Sequence, residues 1–326
     1  MLRASLLLLV SIGLLAGCSD DAGAGGGGGS GGGGESGPLL IDTDKGPVQG
    51  ALIDKTRAFY AIPYAAPPVG DLRWKPPAPA EAWSEPRDAT KKSKQCAQIA
   101  VLTGEYDQNS TEDCLFLNVW TPDEVASEPR PVMVWIHGGG FTLGSGSDPQ
   151  YDGKVLSETT GAVVVNMNYR LGAFGFLALP ALAAEDSEHP SSGQYGIEDQ
   201  RAALEWVKNN IAAFGGDPSR VTVFGESAGG ISACFHLVSP LSEGLFSSAI
   251  LESGPCDQAK SKADGEAQGQ TLSVALGCDT ETDELACLRG KSPAEVAQVL
   301  PQGPFLFDGE GADWFPVIDG YNLPDD

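Results

Sequence analysis

Apolar positions along this chain gather into short continuous runs, set apart by stretches rich in glycine and acidic residues. One run, Val221-Thr-Val-Phe224, leads straight into Gly225-Glu226-Ser227-Ala228-Gly229. Apolar or β-branched residues without alternation predict a strand buried on both faces. Pro131 to Ile136 and Ala162 to Tyr169 repeat the pattern, and the first of these reads as a central strand. Leu115 to Thr121 and Ser248 to Glu252 complete the predicted strands. Between them the period changes. Leu204, Val207, Ile211 and Phe214 recur at three- and four-residue steps, which predicts a helix over 198–214 with one apolar face. Gly215-Gly216-Asp217-Pro218 ends it. Ile231 to Val238 predicts a helix after the glycine turn, and 264–276 and 293–300 predict helices of an excursion beyond the sheet. Strands alternating with helices argue an α/β fold, with a mostly parallel central sheet covered on both faces. Upstream, Lys45-Gly-Pro47 and Gln49-Gly50 punctuate a small hairpin over 39–53. The proline- and aromatic-rich stretch 59–83 reads as an ordered surface loop pinned by its aromatics.

The first residues belong to another kind of structure. Arg3, an apolar run from Leu6 to Leu15 and then Ala16-Gly17-Cys18 read as a signal peptide over 1–17, too short to span a bilayer. Leu15-Ala-Gly-Cys18 resembles the bacterial lipobox, so Cys18 is expected to carry lipid and become the new N-terminus. Residues 18–37 are almost all glycine, serine, alanine and acid. Such a segment buries too little apolar surface to fold and reads as a disordered tether reaching ~25 Å. The folded part is then 38–326. The expected setting is an exported lipoprotein held on a membrane, the outer membrane or cell surface, by its N-terminal lipid. The net charge of −24 repels polyanions and argues against a nucleic-acid partner. Seven cysteines suit an exported protein. With Cys18 acylated, six remain, and the sequence by itself does not pair them.

A strand, then G-x-S-x-G, then a helix is the context of a nucleophile elbow. Glycines flank the serine because the turn leaves no room for side chains. The hydroxyl of Ser227 is then held at a helix N-terminus, where developing negative charge is favoured. A serine nucleophile also needs donors for the oxyanion formed at the attacked carbonyl. His137-Gly-Gly-Gly-Phe141 follows the predicted central strand directly and is the loop type that supplies backbone N–H groups for this.

These motifs, taken together, resemble the type-B carboxylesterases of the cholinesterase/carboxylesterase family, with an α/β-hydrolase fold. Ile62 to Pro68 with Leu72-Arg73, Glu112 to Asn118, and Phe214-Gly-Gly216 through Gly229 each resemble a family signature. Gly196, Asp199-Gln200, Leu204 to Val207 and Asn210-Ile211 fit the helix before the elbow. The resemblance implies that Ser227 is the acylated nucleophile, and that Gly139, Gly140 and Ala228 donate to the oxyanion. It implies an auxiliary role for Glu226, and disulfides Cys96–Cys114 and Cys278–Cys287. Cys234 and Cys256 are left without a role and are expected to be buried free thiols. A small carboxylic ester is the implied substrate, with neither metal nor organic cofactor. The 96–114 loop contains no tryptophan, so a cation–π site for choline is not expected there.

The triad acid and histidine are not found. His137 precedes the oxyanion glycines, His189 lies upstream of the serine, and His236 is nine residues along the same helix, ~13 Å away along its axis. The stretch 315–324 resembles a mid-chain segment of the family. Two explanations stand: the sequence is part of a longer esterase, or the product stops here with an incomplete sheet. The chain by itself is expected to be inactive or nearly so, and a non-catalytic surface-anchored binder of the same fold is the alternative.

Overall fold

The computed structural model describes residues 37–100, 103–300 and 313–324. The signal peptide, Cys18 and all but the last residue of the tether lie outside the described residues. The described residues belong to one compact unit.

Its centre is a seven-stranded sheet: β1 (Ala51–Ile53), β2 (Thr56–Pro63), β3 (Phe116–Pro122), β4 (Arg130–Ile136), β5 (Val163–Met167), β6 (Gly216–Glu226) and β7 (Ser248–Glu252), in spatial order β7-β6-β4-β5-β3-β2-β1. β5/β4, β4/β6 and β6/β7 pair parallel, whereas β3/β5, β2/β3 and β1/β2 pair antiparallel. The sheet is therefore mixed, and the mostly parallel reading holds for one half. The cause lies in the connections. Helices intervene between β4 and β5, β5 and β6, and β6 and β7, and a crossover helix returns the chain parallel. Among the described residues no α-helix stands between strands before β4, only the single 3-10 turn Gly70–Leu72.

Five helices matter to the site: α1 (Lys154–Thr160), α2 (Gly172–Phe176), α3 (Tyr195–Asn210), α4 (Ala228–Val238) and α5 (Lys262–Ala275). Alternation along the strands sorts side chains to two faces. Phe59, Val119, Val163 and Val165 join the main core with Leu204, Val207 and Phe214 of the α3 region. Ala58, Tyr60, Trp120 and Val164 form a second cluster on the opposite face, capped by Leu156 of α1. β5 is buried at every position, and its one polar residue, Asn166, donates to the Gly146 and Tyr151 carbonyls at 2.7 and 2.9 Å. β7 has a neighbour on one side only among the described residues, and Ile250 on it is exposed.

Three expectations need correction. The 59–83 stretch is not a surface loop throughout: Phe59 to Pro63 belong to β2, and Tyr64 and Trp74 are buried. The Trp74 indole donates to the Ala173 carbonyl at 2.8 Å, which ties this segment to α2. α3 begins at Tyr195 rather than at residue 198, because its first turns bury polar residues, Glu198, Asp199 and Gln200, that carry no apolar period. Cys234 and Cys256 are not free thiols; they are joined, beside the expected Cys96–Cys114 and Cys278–Cys287.

The family-like segments near the N-terminus meet in the interior. Arg73 donates to both carboxylate oxygens of Glu112 at 2.6 Å and also to the carbonyls of Leu288, Arg289 and Lys291. Arg170 makes a second buried fork, onto Asp199, at 2.7 and 2.8 Å. Arg73 thereby ties its loop to the end of the helix Glu284–Arg289, and Arg170 ties the end of β5 to α3. Among the described residues no helix is long and apolar enough to cross a membrane.

Candidate active site

β6 ends at Glu226, and α4 begins at Ala228. Ser227 between them is the N-cap, with φ 56° and ψ −121°, a region that side-chain-bearing residues seldom occupy. Two contacts hold it there: its N–H donates to the Glu252 carbonyl at 2.8 Å, and its own carbonyl accepts from Ile231 N–H at 2.9 Å. The flanking glycines are required by contact. A methyl on Gly225 would lie 2.5 Å from the Gly229 carbonyl carbon, and one on Gly229 would lie 2.0 Å from the Ile136 oxygen. The Ser227 side chain is half-buried, and among the described residues its hydroxyl has no hydrogen-bond partner.

The glycine loop after β4 arrives beside it. A methyl on Gly138 would lie 2.7 Å from the Glu226 carbonyl oxygen and 3.3 Å from the Ser227 Cβ. Gly139 and Gly140 have φ of 108° and 60°, which only glycine adopts without strain. The Gly139 carbonyl accepts from Thr142 and Leu143 N–H, both at 3.1 Å. Among the described residues the N–H groups of Gly139, Gly140 and Ala228 donate to no protein acceptor. Unpaired donors beside a helix N-terminus make a place for an anion. Glu226 is half-buried next to Ser227, with its carboxylate close to Gly138.

The loop is braced from behind. Phe141 is fully buried at φ 60°, its carbonyl accepts from Gly172 N–H at 2.7 Å, and its ring meets Phe176 and Phe315 edge-on. The Tyr169 hydroxyl donates to the His137 carbonyl at 2.9 Å, and the two rings stack at 4.4 Å. Nothing in the sequence pattern marks Tyr169 for this task, because it follows a run of buried apolar residues and reads as core.

Each histidine is engaged away from the serine. His137 is buried under the glycine loop, with Nδ1 against the Gly138 carbonyl at 2.8 Å, and burial pushes its pKa down to about 4. His236 lies between Gln200 and Ser242, at 3.0 and 2.9 Å, and burial pushes it down to about 3. For His189 burial opposes charge, but the Glu198 carboxylate at 2.5 Å overcomes it and raises the pKa. Asn322 donates to the same Glu198 oxygen at 2.7 Å. No cluster of histidine, cysteine or acidic residues fit to hold a metal occurs among the described residues.

A mixed sheet with a strand–serine–helix elbow, an oxyanion-type glycine loop at the carboxyl end of the neighbouring strand, and helices on both faces is the α/β-hydrolase fold. A sequence model of the carboxylesterase family matches residues 38–326. The chain belongs to the carboxylesterase family. It is 44% identical over 275 residues to fumonisin B1 esterase of Sphingopyxis macrogoltabida, covering 82% of this chain and 50% of that protein. It is 43% identical over 306 residues to acetylcholinesterase of Gallus gallus, covering 86% and 38%. Among solved structures, a Geobacillus stearothermophilus carboxylesterase superposes with a TM-score of 0.78 at 36% identity, over 88% of this chain and 57% of that one. A PNB esterase superposes at 0.77 with 38% identity, over 88% and 59%. The chain thus spans half or less of the length of these two sequence relatives.

Proposed function

We propose that the protein hydrolyses carboxylic esters through an acyl-enzyme on Ser227. One observation carries the reading: a half-exposed serine in a disfavoured backbone conformation, in contact with a glycine loop whose N–H groups are unpaired. The Ser227 oxygen attacks the carbonyl carbon, and the oxygen that becomes negative takes hydrogen bonds from Gly139, Gly140 and Ala228. The alcohol leaves with a proton, and water then releases the acid from the serine. Removing one such donor typically costs on the order of 10²–10³ in rate. Glu226 assists from beside the serine.

In this reading His137, His189 and His236 do not take the serine proton: His189 and His236 are hydrogen-bonded to Glu198 and to Gln200 and Ser242, and His137 is buried beneath the glycine loop against the Gly138 carbonyl. The names of the two sequence relatives support ester chemistry without fixing the substrate. An uncharged or weakly polar ester fits the 96–114 loop, which lacks an aromatic platform of the tryptophan kind. Fluorophosphonate should label the full-length protein at Ser227, and Ser227→Ala should lose both label and hydrolysis. A full-length protein that hydrolyses esters but stays unlabelled at Ser227 would end this mechanism.

A second reading, a non-catalytic binder of the same fold, draws on the free state of the Ser227 hydroxyl. It predicts no turnover of a short p-nitrophenyl ester by full-length protein. Attachment to a membrane through a lipid on Cys18 is part of the proposal too. Mass spectrometry of the mature N-terminus should find the acyl groups, and Cys18→Ala should release the protein from membranes.

A further inference from the structure

We infer that the Cys234–Cys256 disulfide is a positioning brace for Ser227, an inference that rests on the nucleophile reading above. The backbone of Ser227 is one that persists only where its surroundings over-determine it. Much of that surrounding is the turn after β7. Glu252 accepts the Ser227 N–H at 2.8 Å. Gly254 sits so close that a methyl there would lie 2.6 Å from Ile231 N and 2.7 Å from the Ser227 carbonyl oxygen. A methyl on Gly230 would lie 2.9 Å from the Glu252 oxygen and 3.2 Å from the Gly254 Cα. Residues 252–254 are thus the wall against which the elbow leans.

The pairing of β7 with β6 holds the wall only as far as Glu252, opposite Glu226. Glu252, Ser253 and Cys256 are exposed, and Ser253 is itself at φ 51°. A short exposed turn with a disfavoured residue in it relaxes outward unless something holds it. Cys234, which is buried, stands four residues after Gly230 on α4, so both present the same face of the helix to the turn. The bond from Cys234 to Cys256, with Cα atoms 5.6 Å apart, ties the far end of the turn to the helix that Ser227 caps. The wall is then fixed at both ends, by the glycine contacts at 254 and by sulfur at 256. The other two disulfides join segments that make none of these contacts with Ser227.

The test uses full-length protein and two paired variants, Cys234→Ala with Cys256→Ala, and Cys278→Ala with Cys287→Ala as control. Three quantities are read well below each melting temperature: the fluorophosphonate labelling rate, kcat and KM on a short p-nitrophenyl ester, and amide exchange over 226–231. The elbow pair should lose about tenfold or more in labelling rate and kcat, with KM within about twofold and faster exchange. The control should lose thermal stability while keeping kcat within about twofold. If the elbow pair does not fold, the native protein is titrated with a phosphine reductant and Cys256 is alkylated; the labelling rate should fall in step with alkylation. Unchanged rate and exchange in a folded elbow variant, or equal losses of kcat in both pairs, would overturn the brace. Wild-type protein that is never labelled at Ser227 would instead overturn the catalytic reading, leaving the exchange measurement to decide the brace.

Discussion

Gly229→Ala is the smallest change that separates the nucleophile from the loop meant to serve it. The added methyl would lie 2.0 Å from the Ile136 carbonyl oxygen and 3.1 Å from that of His137. Ordinary contact begins near 3.4 Å, so one side must retreat by about 1.4 Å. Both sides belong to the site: Gly229 is in the first turn of α4, and Ile136 is the last residue of β4 before the glycine loop. Neither carbonyl is the tip of a flexible side chain, so no rotamer change relieves the clash. Overpacking of this kind costs about 1–3 kcal/mol of stability. A misplacement of about 1 Å in a catalytic constellation costs on the order of 10² in rate. The expected result is a folded protein with a lowered melting temperature and a fluorophosphonate labelling rate down by about two orders of magnitude. Gly290→Ala is the control. Its methyl meets nothing closer than 3.3 Å and its φ is −74°, so stability should stay within about 0.5 kcal/mol. Wild-type labelling by a folded Gly229→Ala variant would refute the claim that elbow and loop form one rigid contact.

Three further outcomes follow from the same contacts. Ser227→Gly relieves the residue's positive φ and should stabilise the fold by about 1 kcal/mol, read by urea unfolding, while abolishing labelling. Arg170→Met leaves the Asp199 carboxylate buried without its fork and should cost about 3–5 kcal/mol; adding Asp199→Leu should recover most of it. Acid should destabilise the fold between pH 6.5 and about 4, because unfolded imidazoles take up protons there while His137 and His236 stay neutral. The His189–Glu198 pair has the opposite sign for the histidine: its contribution is full below pH 6.5 and is lost as pH rises through the raised folded pKa. Urea midpoints measured at pH 7 and pH 5 should therefore fall toward acid, and His236→Gln should flatten the fall.

Much of this was readable because β strands here are apolar runs and the elbow is a local motif. Val221 to Phe224, Pro131 to Ile136 and 162–169 needed no partner to be recognised as buried strands. The glycines at 225 and 229 announced a close approach, and the structure shows what they approach. Long-range polar pairing was harder to see. Asp199 and Arg170 are 29 residues apart, and each alone looks like an ordinary surface charge. The first turns of α3 escaped the helical period because Glu198, Asp199 and Gln200 are buried yet polar. Cys234 and Cys256 lie on either side of β7, and only the parallel placement of that strand beside β6 brings helix α4 and the turn after β7 together. In the antiparallel half Leu115 to Thr121 was legible as a strand, but Thr56–Pro63 read as part of a loop and Ala51–Ile53 carries too few residues to show a period.

The most direct measurement is a crystal structure of full-length protein after reaction with a fluorophosphonate. The account predicts phosphorus bonded to the Ser227 oxygen, with one phosphonyl oxygen about 2.7–3.1 Å from the amide nitrogens of Gly139, Gly140 and Ala228. Phosphorus on another residue, or a phosphonyl oxygen turned to solvent with those three amides still unpaired, would contradict it.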